Sequence, residues 1–233
     1  MRCDRMIESN DSFCEQGYAQ ARSALPMDRI KVLQKEAARL QSREGRASLR
    51  GLAGRSELFR SVASELVEVL GMNQVLVRSI LFDKTVESNW PVAWHQDLTI
   101  AVSERRECTG YGPWSEKDGI PHVQPPIEVL EKMVTLRLHL DPATEKNGAL
   151  RVIPGSHLGG KLGQKEQAHV IENWEKKIML ADAGDLLLMK PLLLHSSQKS
   201  RDVARSRRIA HFEFAPGGAI ASGLEWAEQG RVG

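Results

Sequence analysis

The sequence predicts an α+β fold with a mainly β core and its helices gathered at the N-terminal end. Two observations carry this. Through residue 72 the apolar residues recur at helical spacing, and from residue 73 they fall in short runs broken by turn residues. Helices first and strands afterwards imply that helices cover one side of a β-sandwich or barrel. A chain of 233 residues is long enough to bury a substantial core, and one domain spanning 1–233 is expected.

The elements follow in order. Ser12 to Leu25 reads as a short helix ended by Pro26. Met27 to Leu40 places Ile30, Val32, Leu33, Ala37 and Leu40 at helical spacing against Arg and Lys. Residues 42–55, rich in Arg, Ser and Gly, read as a solvated loop. Ser56 is an N-cap candidate for an amphipathic helix running through Leu70 and stopped by Gly71. Val75 to Phe82 is the first strand, and Val134 to Leu140 alternates apolar residues with Thr135, Arg137 and His139. The Asn147-Gly148 pair turns the chain into a strand over 149–153, closed by Pro154-Gly155. Gly184-Asp185 opens Leu186 to Met189, Leu192 to Leu194 leads to His195, and Arg207 to Ala215 is the last strand. The core is thus expected over 73–216, after a helical part over 1–72. Residues 103–128, rich in Gly and Pro, read as a lid or insertion.

Composition narrows the function classes. With 41% hydrophobic and 27% charged residues the chain is typical of a soluble globular protein, and a net charge of +2 points to neither nucleic acid nor a membrane surface. No apolar run approaches the roughly 20 residues that span a bilayer, and the first residues lack the apolar stretch of a secretory signal. Cys3, Cys14 and Cys108 form no disulfide framework, which suits a reducing cytoplasm.

The residues that carry chemistry are His95 and Asp97. Two residues apart on an extended strand, they project from one side and can take adjacent corners of one metal ion. A remote His195 completes a face of two histidines and one carboxylate, leaving positions open as iron(II) oxygen chemistry requires. On the last strand Arg208, Ala210, Phe212 and Phe214 form the more apolar face. The opposite face, with Arg207, Ile209, His211 and Glu213, is expected to look into a cavity. An inward Arg207 is a two-pronged donor suited to a dicarboxylate. The same logic puts Thr135, Arg137 and His139 on the cavity side. His122, His157, His169 and His211, taken singly, have no ligand spacing and read as packed or surface residues. Trp90 and Trp94 read as outer-wall packing, and Trp114 as either a cover over substrate or an anchor for its loop.

Four stretches, Asn89 to Asp97, Asn147 to His157, Gly184-Asp185 and His195-Ser196-Ser197, resemble the phytanoyl-CoA dioxygenase-like group of iron(II)/2-oxoglutarate oxygenases over roughly residues 73–216. The resemblance implies a double-stranded β-helix, the jelly roll of cupin-like proteins. It implies that His95, Asp97 and His195 bind Fe(II), and that Arg207 pairs with the distal carboxylate of 2-oxoglutarate, with Arg208 or Arg205 as substitutes if the loop is offset. Ser197 and Lys84 are implied as further contacts to that cosubstrate. Family members that halogenate replace the carboxylate ligand with a small residue, so Asp97 implies hydroxylation or a related oxidation. The reaction implied consumes O2 and 2-oxoglutarate, releases succinate and CO2, and oxidises a small-molecule substrate contacted by Arg137, Thr135 and Trp114. The alternative is a non-oxidative cupin-like metal protein, either an isomerase or a small-molecule binding module.

Overall fold

A computed structural model describes residues 10–69, 74–85, 88–202, 206–218 and 220–228. Cys3, Arg205 and the expected helix stop at Leu70-Gly71 lie outside the described residues.

The N-terminal part begins with α1 (Asn10–Gln16) and an edge strand, β1 (Tyr18–Ala21). This corrects the helix expected over Ser12 to Leu25. Gly17 adopts φ +78°, which ends the helix and turns the chain onto the sheet. There Tyr18 pairs with Met189. Helix α2 (Met27–Glu44) runs one turn past Leu40 to a left-handed Gly45. It buries Ile30, Leu33, Ala37 and Leu40, but Val32 is exposed and lies off the core face. The expected loop at 42–55 instead holds β2 (Leu49–Arg50) and α3 (Leu52–Arg55), because Leu49 and Leu52 are apolar enough to bury among the polar residues around them. Helix α4 (Glu57–Val69) follows, with the Ser56 carbonyl accepting its first hydrogen bond from Arg60 N at 3.1 Å.

The strands of the core are β3 (Val75–Phe82), β4 (Val92–His95), β5 (Ile100–Ala101), β6 (Trp114–Lys117), β7 (Ile120–Val123), then after α5 (Ile127–Lys132) β8 (Val134–His139) and β9 (Leu150–Val152). After α6 (Gln164–Asn173) come β10 (Lys177–Met179), β11 (Leu186–Met189), β12 (His195–Ser197) and β13 (Ile209–Ala215). They form a six-stranded sheet ordered β1-β11-β8-β13-β3-β2, a four-stranded sheet β10-β9-β12-β4 and a three-stranded sheet β5-β7-β6. The segment 103–128, expected as a lid or insertion, contains most of this third sheet. Its β6–β7 hairpin packs through Val123 and Trp114 into an apolar cluster with Val129, Met133 and Trp226.

Strand alternation sorts the six-stranded sheet into two faces. Leu81, Leu136, Leu138, Ala210, Phe212 and Phe214 join one cluster with Ile30, Leu33 and Leu40 of α2 and Phe59 and Val62 of α4. Each such buried side chain contributes about 1.5–3 kcal/mol. The other face turns Ile80, Phe82, Arg137 and His211 toward a cavity that the four-stranded sheet borders through Val92, His95, Leu150 and His195. A bulge shifts the β13–β3 register between Glu213 and Phe214. Because it falls after Glu213, the inward set at Arg207, His211 and Glu213 keeps its face. Among the described residues, no helix is long and apolar enough to cross a membrane.

Candidate metal centre and its cavity

His95 and His195 are direct cross-strand partners of β4 and β12, with ring centroids 4.2 Å apart. Each ring is oriented by its own backbone. His95 Nδ1 lies 2.9 Å from the Ala93 carbonyl, and His195 Nδ1 lies 2.8 Å from the Leu193 carbonyl. A carbonyl only accepts, so each Nδ1 carries a proton, and in the neutral ring it is Nε2 that keeps the lone pair. These two Nε2 atoms face Asp97, at 3.8 Å from Oδ1 for His95 and 3.6 Å from Oδ2 for His195. Such separations are too long for hydrogen bonds. The three residues nevertheless offer ligand atoms that all lie within 4.8 Å of one another.

The route to this geometry differs from the simple alternation expected. Strand β4 ends at His95, and Asp97 is held beyond it by its own N–H donating to the Pro191 carbonyl at 2.8 Å. Gln96 fixes that bend. Its Nε2 donates to the carbonyls of Gly160 and Leu192, both at 2.7 Å, and its Oε1 accepts from Leu162 N at 2.9 Å. Protonation states suit a cation. Burial pushes the His195 imidazole down to about 4, so it is neutral near pH 7. Burial opposes ionisation of Asp97, but His195, Arg78 and His95 outweigh it and hold the carboxyl well below its ordinary value. Neutral imidazoles and an ionised carboxylate are the forms that bind a metal.

The cavity beside these donors has a volume of about 220 Å³. Arg207, Lys84 and Ser197 line it. Lys84 Nζ donates to Ser197 Oγ at 3.0 Å and to the Gln198 carbonyl. Burial, with Arg207 and Arg137 nearby, lowers Lys84 to about 8. Gly148, in the turn the sequence marks, adopts φ +76°, and any Cβ there would strike the Gln198 carbonyl that Lys84 uses. The Arg207 guanidinium is buried, and among the described residues neither Nε nor Nη1 has a hydrogen-bond partner. Arg208 points the other way, with Nε and Nη2 bonded to Asp141 at 2.8 and 2.9 Å.

The substrate-side expectations divide. Arg137 lines the cavity. Thr135 does not: it is buried opposite Glu213, one residue pair farther along the sheet. Trp114 does not either; its ring packs into the β6–β7 cluster with Arg105 stacked 5.6 Å over it. Trp90, expected as packing, is half exposed and borders the cavity, whereas Trp94 packs beside Ile153 and Val170. His139 is buried off the cavity, His122 sits in β7, and His157 contacts the Cys14 carbonyl at 2.9 Å.

Of the charged cavity residues, Arg78 and Lys117 went unrecognised in the sequence, while Arg50 reads there only as part of a basic, solvated loop and His211 only as a packed or surface residue on the inward face. Two carried a signal. Arg78 interrupts an otherwise apolar strand, VLVRSILF, and His211 shares the face assigned to Arg207. His211 Nε2 lies 2.9 Å from Glu213 Oε1, and Arg78 pairs with the same oxygen. Arg137 Nη1 lies 3.0 Å from His211 Nδ1. Guanidinium can only donate, so His211 Nδ1 accepts and its proton resides on Nε2. Burial lowers the His211 pKa and keeps the ring in this neutral form.

Comparisons with known proteins agree with this architecture. A family profile described as Phytanoyl-CoA dioxygenase (PhyH) matches residues 13–209. No curated protein matches. Among solved structures, EctD from S. alaskensis with bound Fe superposes with a TM-score of 0.70 at 18% identity, over 95% of this chain and 84% of that one. SnoK, a non-heme alpha ketoglutarate dependent carbocyclase from nogalamycin biosynthesis, gives 0.68 at 15% identity over 93% and 87%. HygX from Streptomyces hygroscopicus, with nickel and 2-oxoglutarate bound, gives 0.63 at 16% identity over 89% and 87%. Identities this low establish a shared fold.

Proposed function

The chain belongs to the phytanoyl-CoA dioxygenase family, and on that premise we propose that it is an iron(II)- and 2-oxoglutarate-dependent oxygenase hydroxylating a small molecule. The whole of 1–233 then acts as one domain, its two larger sheets being the halves of a double-stranded β-helix backed by the N-terminal helices. Cytoplasmic residence follows from the cysteine usage.

One observation carries the reading: the three-donor cluster shares its cavity with a buried guanidinium that has two N–H groups unaccepted among the described residues. A metal alone would explain the cluster and leave Arg207 unexplained. A metal-bound dicarboxylate explains both, since its far carboxylate can accept from Arg207 and from Lys84 beside Ser197. EctD carries Fe, and HygX carries 2-oxoglutarate, in the same fold.

In this reading His95, Asp97 and His195 would hold the iron, and the backbone carbonyls of Ala93 and Leu193 would keep both imidazoles in the ligating tautomer. When bound, iron(II) and 2-oxoglutarate supply activation of O2 coupled to oxidative decarboxylation, giving succinate and CO2. Arg207, Lys84 and Ser197 orient the cosubstrate. The apolar side chains of Ile80, Phe82, Val92 and Leu150 keep the cavity wall dry around it. SnoK is a carbocyclase on the same fold, so the fold does not fix the outcome of C–H oxidation. Retention of Asp97 supports hydroxylation.

Anaerobic titration of the purified chain with iron(II) and then 2-oxoglutarate is the test, followed by assay of succinate after oxygen is admitted with ascorbate. Binding of both with slow uncoupled succinate release is expected. Iron binding without any 2-oxoglutarate binding would move the assignment to a non-oxidative cupin-like metal protein.

A further inference from the structure

Six cationic side chains line the cavity: Arg50, Arg78, Lys84, Lys117, Arg137 and Arg207. Among the described residues only two carboxylates do so, Asp83 and Asp97. Pairing accounts for part of this excess. Arg78 is neutralised by Glu213, and Arg50 reaches Asp118 at 3.1 Å. Asp83 accepts from the backbone N–H of Arg207 at 3.1 Å and acts on its charge. The proposed cosubstrate brings two carboxylates. One, with Asp97, balances a divalent iron, and the other meets Arg207 and Lys84.

Two cations are then left over. Arg137 is buried, with its guanidinium 5.7 Å from the Phe82 ring and one nitrogen on the neutral His211. Among the described residues its Nε has no hydrogen-bond partner and no carboxylate pairs with it. Lys117 comes from the other side of the cavity, on β6, and its Nζ donates to Thr99 Oγ1 at 3.3 Å. It too has no carboxylate partner among the described residues. Both line the same cavity as His95, Asp97 and His195.

The polar strip beneath Arg137 gives its position a cause. Glu213 accepts from His211, His211 accepts from Arg137, and β13 lies between β3 and β8 in the sheet, so the strip is built from three adjacent strands. A buried guanidinium held this way is a preformed half of an ion pair. A site built to neutralise charge rejects a neutral analogue, because the cation is then left desolvated and unpaired.

Resting on the oxygenase reading above, we propose that the molecule oxidised is itself an anion, a carboxylate or phosphate, held by Arg137 and Lys117. The site would place the C–H bonds a few atoms from the charged group beside the metal donors, and would discriminate against amides and esters of the same skeleton.

The test uses the full chain, saturated with iron(II) and 2-oxoglutarate without oxygen, and titrates it by calorimetry with hexanoate, hexyl phosphate and hexanamide. Hexanoate or hexyl phosphate is expected to bind at least tenfold more tightly than hexanamide, and the stronger of the two identifies the anion. Lys117→Gln and Arg137→Gln should each reduce that preference about tenfold; Lys117 lies on a surface hairpin, so its variant stands if Arg137→Gln fails to fold. Hexanamide binding equal to both anions would overturn the proposal. So would an unchanged anion preference in Lys117→Gln. If Arg137→Gln weakens 2-oxoglutarate and spares the anions, Arg137 is a cosubstrate contact and the assignment fails for that residue. The charge-transfer band of iron-bound 2-oxoglutarate reports separately on the oxygenase reading. Its absence would sink that reading, while the anion titration still decides the charge preference of the cavity.

Discussion

Replacing Arg207 with methionine should stabilise the free protein and cripple cosubstrate binding. In the free cavity the guanidinium is buried, its Nε and Nη1 unaccepted by any atom of the described residues. Burial and the neighbouring Arg137 lower its pKa to about 10, a sign that the environment disfavours the charge. An unsatisfied buried donor costs about 1–3 kcal/mol. Methionine keeps much of the apolar stem and removes the donors, so a gain of about 1–3 kcal/mol is expected. For a chain of this length that raises Tm by roughly 2–4 °C per kcal/mol. The opposite holds with ligand. Truncating one partner of a buried charge pair costs about 2–5 kcal/mol, which is a loss of roughly 30-fold to several thousand-fold in affinity. Scanning calorimetry of metal-loaded protein with and without 2-oxoglutarate reads both effects. Wild type should gain about 2.7 kcal/mol at a ligand concentration 100 times Kd, and the variant close to nothing. A variant that is less stable when free, and that still binds 2-oxoglutarate like wild type, would refute the assignment.

Other perturbations separate the remaining roles. Asp97→Ala should abolish stoichiometric iron binding measured by metal analysis after desalting, and full iron occupancy in the variant would remove Asp97 from the ligand set. Burial lowers Lys84 to about 8 in the fold, below the ordinary lysine value of 10.5, so the unfolded chain binds its proton more tightly. Its contribution to stability therefore rises with pH between those two values, while 2-oxoglutarate affinity falls as pH climbs through about 8. Lys84→Met should flatten both dependences, read by denaturation and by titration across that window. Glu213→Gln leaves Arg78 buried without its counter-charge and should cost about 3–5 kcal/mol in urea unfolding. A loss below about 0.5 kcal/mol would mean that the pair is not desolvated as its burial indicates.

The sequence made the strand faces legible because a β-strand writes its two environments in alternation. On β13, Ala210, Phe212 and Phe214 had to be buried together, and this forced Arg207 and His211 onto the other side. It could not show what lay opposite. His211 looked unremarkable because its partners, Arg137 and Glu213, come from a strand more than 70 residues away and from its own strand two residues on. The helix mistaken over Ser12 to Leu25 has the same origin. Tyr18 to Ala21 has no strand alternation of its own, and it becomes β1 only because β11 offers an edge.

The metal donors show where local reasoning succeeded by a longer route than it assumed. Two side chains on one strand would need β4 to continue through Asp97, and it stops at His95. The acid reaches the imidazoles because Gln96, buried between them in sequence, donates both amide hydrogens to Gly160 and Leu192 and accepts from Leu162. The bend is thereby tied to the loop before α6 and to the approach of β12. His195 enters from β12 itself, directly opposite His95. One amide side chain thus ties the segment carrying two of the donors to the segment that delivers the third. The cluster is a property of the packed sheets, and the short motif marks where they meet.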